Sequence, residues 1–66
     1  MKGDFAQLLS ALRKHKNLTR RDLAILTDLS EETIKQFENG RKPSMNSLAK
    51  ICKGLDLDFE DYEQYL

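Results

Sequence analysis

The 66-residue chain has one cysteine, Cys52, one histidine, His15, and no tryptophan. One thiol cannot form an internal disulfide, and no second cysteine or histidine pair supplies the spacing of a zinc site. Cys52 and His15 lie far apart in the chain, there is no glycine-rich phosphate loop, and a domain this small lacks the volume for a sizeable pocket. The expectation is therefore no enzyme, no cofactor and no small-molecule ligand. No apolar run is long enough to span a bilayer. The start, MKGDFAQLLSAL, has an apolar stretch broken by Asp4, Gln7 and Ser10 and no small-residue cleavage site, so it is not a secretory signal. A cytoplasmic location is expected. No stretch alternates with period two, which argues against strands, and no repeat, linker or low-complexity segment divides the chain.

What is present is an ordinary folding composition, 39% hydrophobic and 33% charged. A chain of this length buries only roughly 60% of its unfolded surface. Residues 1–66 are thus expected to form one marginally stable domain, held by helix packing and helped by a partner chain. Net charge is zero, but the charges are segregated. Residues 1–27 carry six bases against two acids, net +4; residues 28–38 carry one base against four acids, net −3. Residues 39–54 are net +4 with no acid, and residues 55–66 net −5 with no base. The acidic end is expected to point away from whatever the basic segments touch.

Five capping residues, each placed three positions before a polar one, mark five short helices: Asp4, Thr19, Ser30, Ser44 and Asp58. Asp4 with Gln7 is the one strict capping-box pair. Helix 1 (about 4–16) repeats Phe5, Leu8, Leu9 and Leu12. Helix 2 (about 20–27) turns in Leu23, Ala24 and either Leu26 or Thr27. Helix 3 (about 31–38) turns in Ile34 and Phe37, and helix 4 (about 45–54) presents Met45, Leu48, Ile51, Cys52 and Leu55, stopping near Gly54. The last helix, 59–65, places Phe59, Tyr62 and Leu66 at i, i+3, i+7. Leu57 and Phe59 are expected to close the core, and Tyr62, Tyr65 and Leu66 to face a twofold partner. The inward helical position of Cys52 makes it a core residue rather than a redox switch.

Residues 19–40, TRRDLAILTDLSEETIKQFENG, place two short helices either side of a four-residue turn, the outline of a helix-turn-helix. Leu18-Thr19, Leu23-Ala24, Leu29-Ser30, Thr33-Ile34, Glu38-Asn39-Gly40, Pro43-Ser44, Leu48 and Ile51 together resemble the Cro/repressor family, also called the xenobiotic-response-element type, from Leu9 to about Leu57. The resemblance implies an all-α, five-helix, lambda-repressor-like DNA-binding domain, usually dimeric, found in phage repressors, restriction-modification controllers and antitoxins. It implies that Ser30 caps a recognition helix whose Glu31, Glu32, Lys35 and Gln36 face base edges, with Thr33 at the margin among the phosphate contacts. Arg20 stands where relatives hold a phosphate-binding glutamine. Asn39, Arg41 and Lys42 would grip phosphates, and Arg13 and Glu38 match a family ion pair. Three departures stand out: Asp28 replaces the usual turn glycine, the stretch from Glu38 to Pro43 is one residue shorter than the commonest form, and two glutamates open the recognition helix.

The residues themselves allow plainer readings. Acids in a first helical turn gain roughly 0.3–1 kcal/mol from the helix dipole without any DNA, although a carboxylate can also accept from a cytosine amino group. Arg20, Arg21, Arg41 and Lys42 flank helix 3 as backbone clamps must. Gln36 and Lys35 reach adenine and guanine edges respectively, or are simply exposed. The expectation is a transcriptional regulator that binds a palindromic operator in double-stranded DNA as a homodimer. The alternative is a protein-interaction module of the same fold, an antitoxin or docking domain. Met1 and a finished fifth helix fit an entire gene product, and the sequence leaves open a further effector domain.

Overall fold

A computed structural model describes residues 4–66; Lys2, counted in the basic N-terminal segment, lies outside the described residues. Five helices run in order: α1 (Phe5–His15), α2 (Arg20–Thr27), α3 (Glu31–Glu38), α4 (Met45–Leu55) and α5 (Phe59–Tyr62), the last passing into a 3-10 turn at Glu63–Tyr65. No strand forms among the described residues.

The helix starts follow the caps. Asp4, Thr19, Ser30 and Ser44 sit in extended backbone, and each side-chain oxygen accepts the amide three residues on, from Gln7, Asp22, Thr33 and Ser47, at 2.9–3.1 Å. Each such bond satisfies an orphan donor and is worth about 1 kcal/mol. The reciprocal box, however, forms at Thr19, whose own amide donates to Asp22 Oδ2 at 3.0 Å, and not at Asp4–Gln7. A carboxylate accepts through either oxygen, whereas glutamine must turn one end of its amide back. Asp58 makes no cap bond, in keeping with a helix of only four residues.

The helix ends share one device. Asn17, Asp28 and Asp56 adopt φ of 58–59° and Gly40 φ of 113°. The next residue in each case reaches back five positions: Leu18 N–H to Arg13 C=O (3.0 Å), Leu29 to Ala24 (3.0 Å), Arg41 to Gln36 (3.0 Å) and Leu57 to Cys52 (2.7 Å). These are Schellman turns, which normally carry an apolar residue just past the left-handed one. Leu18, Leu29 and Leu57 fill that place and pack on the core. At α3 it is filled by Arg41. Gly54 does not stop α4, which runs to Leu55 and ends at Asp56. Gly54 instead lies where α4 crosses α2, and a Cβ there would stand 2.5 Å from Leu26 O.

The core is Phe5, Leu9, Leu23, Ala24, Ile34, Phe37, Leu48, Ile51, Cys52 and Leu55. In α2 the inward place goes to Thr27, whose hydroxyl is satisfied by donating to Leu23 C=O at 2.8 Å, and Leu26 is half exposed. Met45 is exposed too, because the first position of α4 precedes the turn that meets the core. Leu57 and Phe59 pack on the core as expected. Tyr65, expected at a partner surface, lies against Phe5 of its own chain with ring centroids 5.8 Å apart, and Tyr62 stacks beside it. Both tyrosines are half-buried, while Leu66 is exposed.

The left-handed Asp28 bears a Cβ penalty that glycine would not. Its contact with Lys50, at 3.9 Å with the carboxylate 95% exposed, offsets little of that. Asp28→Gly is therefore expected to stabilise the domain by about 0.5–1 kcal/mol, seen as a rise in thermal midpoint of roughly 2–8 °C. An unchanged or lower midpoint would count against the strain.

Candidate nucleic-acid interface

The turn at Asp28 to Ser30 sets α3 across α2 with one face inward. Ile34 and Phe37 are fully buried, and Glu31, Glu32, Lys35 and Gln36 are exposed on the outer face. Thr33 is half-buried, and its hydroxyl accepts from Ser30 Oγ at 2.8 Å. The helix therefore presents four adjacent polar side chains of both signs, and it is anchored on its other side by two apolar ones. Glu31 and Glu32 sit in the first turn, at the positive end of the helix dipole.

The far end of α3 is fixed by charge. Glu38, its side chain only 2% exposed, accepts from Arg13 Nε at 2.7 Å and Arg13 Nη2 at 3.2 Å. A second arginine joins it: Arg20 Nε donates to Glu38 Oε1 at 3.1 Å. Arg13 also donates to Leu18 C=O at 2.9 Å, so one guanidinium ties α1, the following turn and α3 together. Burial pushes the Glu38 carboxyl up, but hydrogen bonds from Arg13 and Arg20 outweigh it and hold the group below the usual carboxylate range. The bond to Glu38 raises the Arg13 guanidinium further. The Asp22 carboxyl is lowered by the bonds from Thr19.

The sequence placed Arg20 at a phosphate; the structure gives its Nε to Glu38 and leaves the side chain 42% exposed. Arg21 on the same helix end is exposed, as are Asn39 and Lys42 after α3. Arg41 is exposed like them but has partners of its own. It packs over the Phe37 ring with the guanidinium carbon 5.2 Å from the centroid, and its Nη1 donates to Gln36 Oε1. Gln36 Nε2 in turn donates to Glu32 Oε2 at 3.5 Å. These links, and the second arm on Glu38, were not foreseen; the signal was the left-handed Gly40, which folds Arg41 back over the last turn of α3.

Burial pushes the Cys52 thiol up, away from the thiolate form. Among the described residues no His, Cys, Asp and Glu cluster can hold a metal ion, and no helix is long and apolar enough to cross a membrane.

The family model of the Cro/C1-type HTH DNA-binding domain matches residues 8–64 of the chain. Among solved structures, the chain is similar to an HTH_3 family transcriptional regulator from Vibrio cholerae, with 36% identity and a TM-score of 0.78. The match covers 83% of the present chain but only 32% of that regulator. A search of the curated proteins finds no match.

Proposed function

Because the chain belongs to the Cro/C1-type helix-turn-helix DNA-binding family, a family of regulators and not of enzymes, we propose that it binds a specific operator in double-stranded DNA and regulates transcription from it. The observation that carries the reading is α3: its inner face is locked by Ile34, Phe37 and the Glu38 ion pairs, and its outer face exposes Glu31, Glu32, Lys35 and Gln36. A helix so held can enter a major groove without being remodelled. In this reading Glu31, Glu32, Lys35 and Gln36 meet base edges, and Arg20, Arg21, Thr33, Asn39 and Lys42 line the two phosphate walls. Sequence is read by the first set, and the second positions it. The protein acts where its DNA is, in the cytoplasm.

A single domain of 66 residues makes few base contacts, so the operator is a palindrome read by a homodimer, with half-sites about one turn of DNA apart. Leu66 and the outer edges of Tyr62 and Tyr65, in the net-negative C-terminal segment, are the surface for that pairing.

Selection from a pool of random duplexes, followed by mobility shift at several salt concentrations, tests this. The expected result is an enriched palindrome whose affinity falls steeply with salt, as phosphate neutralisation requires. A folded protein that enriches no sequence at low or physiological salt would sink the reading and favour a protein partner.

A further inference from the structure

Gln36 occupies an unusual position between two charged groups that can each play only one hydrogen-bonding role. Arg41 can only donate and Glu32 can only accept. The amide of Gln36 therefore has one stable orientation, with Oε1 toward Arg41 Nη1 and Nε2 toward Glu32 Oε2. Turning it over would set an NH2 against guanidinium donors and a carbonyl against a carboxylate. The partner on the donor side is held independently. The Gly40 turn returns the Arg41 amide to Gln36 C=O at 3.0 Å, and the guanidinium rests on the Phe37 ring. In the three sister turns the equivalent place holds a leucine that packs on the core. In this one it holds an arginine aimed at the outer face of α3.

The flanking bonds leave Gln36 with one Oε1 lone pair and one Nε2 hydrogen unspent. We infer that Arg41, with Glu32, is a positioning residue that fixes the polarity of Gln36 and so makes it read adenine and refuse guanine. Adenine offers an N6 donor to Oε1 and an N7 acceptor to Nε2. Guanine places its O6 acceptor where adenine has the donor, so it meets the locked Oε1 as acceptor against acceptor. A glutamine released from Arg41 and Glu32 has both Nε2 hydrogens free and can swing its NH2 across guanine O6 and N7, so it accepts either purine. Arg41 thus serves base reading and not the phosphate wall. The inference rests on the DNA-binding reading of α3.

Two measurements test it. In the free protein, side-chain amide relaxation of Gln36 is expected to report a well-ordered NH2 group compared with that of exposed Gln64, and Arg41→Met is expected to bring Gln36 down to the mobility of Gln64. Equal mobility of the two in the wild type would overturn the lock. In duplex selection, the wild type is expected to prefer adenine over guanine by on the order of tenfold at one base pair of each half-site. Arg41→Met is expected to shrink that preference to within about threefold, with the salt dependence unchanged. If Arg41→Met instead weakens binding to all sequences alike and lowers the salt slope by about one, Arg41 is a phosphate contact and the inference is wrong. Enrichment by the wild type with the adenine preference intact in the variant also overturns the inference, and leaves the DNA reading standing. No enrichment by the wild type overturns both.

Discussion

Replacing Glu38 with alanine is expected to cost about 3 kcal/mol and to lower the thermal midpoint by more than about 12 °C. The loss is large because the deletion strands Arg13 and also takes the partner of the more exposed Arg20. Arg13 is only 14% exposed, and its Nε and Nη2 both point at the vacated carboxylate. Removing one partner of a buried pair leaves an uncompensated charge, which costs more than the pair itself contributes. In a domain whose total stability is about 3–5 kcal/mol, the variant is then close to unfolding at room temperature. Glu38→Gln keeps the shape and an acceptor and is expected to lose less. It also separates the pH response. The folded Glu38 carboxyl lies below its unfolded value, so its contribution is complete above about pH 4.3 and disappears as the pH falls through the folded value. Wild-type stability should therefore drop on acidification below about pH 4.3, and Glu38→Gln should flatten part of that drop. Asp22, lowered by Thr19, retains its share in the same window. Equal acid sensitivity of wild type and Glu38→Gln would show that the carboxylate is not held as described.

Gly54→Ala is the second large effect, and its sign runs against helix propensity. In an open helix, alanine is favoured over glycine by about 1 kcal/mol. Here the new Cβ would meet Leu26 O at 2.5 Å, Leu26 C at 2.9 Å and Thr27 Cγ2 at 3.0 Å. Two of those atoms are backbone and cannot swing aside. Relief requires moving α4 off α2, which opens the contact between Leu23 and Ala24 on one helix and Leu48, Ile51 and Cys52 on the other. Overpacking of this kind costs about 1–3 kcal/mol, and backbone atoms in the way put the cost at the top of that range; less the propensity gain of about 1 kcal/mol, the net expectation is a loss of about 2 kcal/mol in urea unfolding. A variant as stable as the wild type would mean that the helices cross farther apart.

The same glycine shows where the sequence is opaque. Read along the chain, Gly54 after Lys53 is a helix stop; only the crossing of α2, nearly thirty residues earlier, explains it otherwise. Local signals fared better. The four caps at Asp4, Thr19, Ser30 and Ser44 set helix starts within a residue, because each bond spans only three positions. The outward face of α3 was legible for the same reason, since Ile34 and Phe37 fix its rotation by periodicity alone. What sequence spacing does not settle is how a long side chain chooses among neighbours. Arg20 and Arg41 were read as phosphate contacts from position, and the folded chain offers each a partner of its own, Glu38 and Gln36. Tyr65 was read as surplus apolar surface at the chain end, whereas the exposed side of Phe5 is what it covers.

The recurrent left-handed turn has one more consequence. Because α1, α2, α3 and α4 each carry their own stop, written in the last few residues of the helix and the two that follow, the connecting segments have no say in helix length. The stretch between Glu38 and Pro43 holds the α3 stop itself, Asn39, Gly40 and Arg41, and leaves Lys42 and Pro43 as the free connector to α4. Insertions and deletions in that connector are a mutational route by which the chain can lengthen or shorten its outer rim while the reading surface is inherited unchanged.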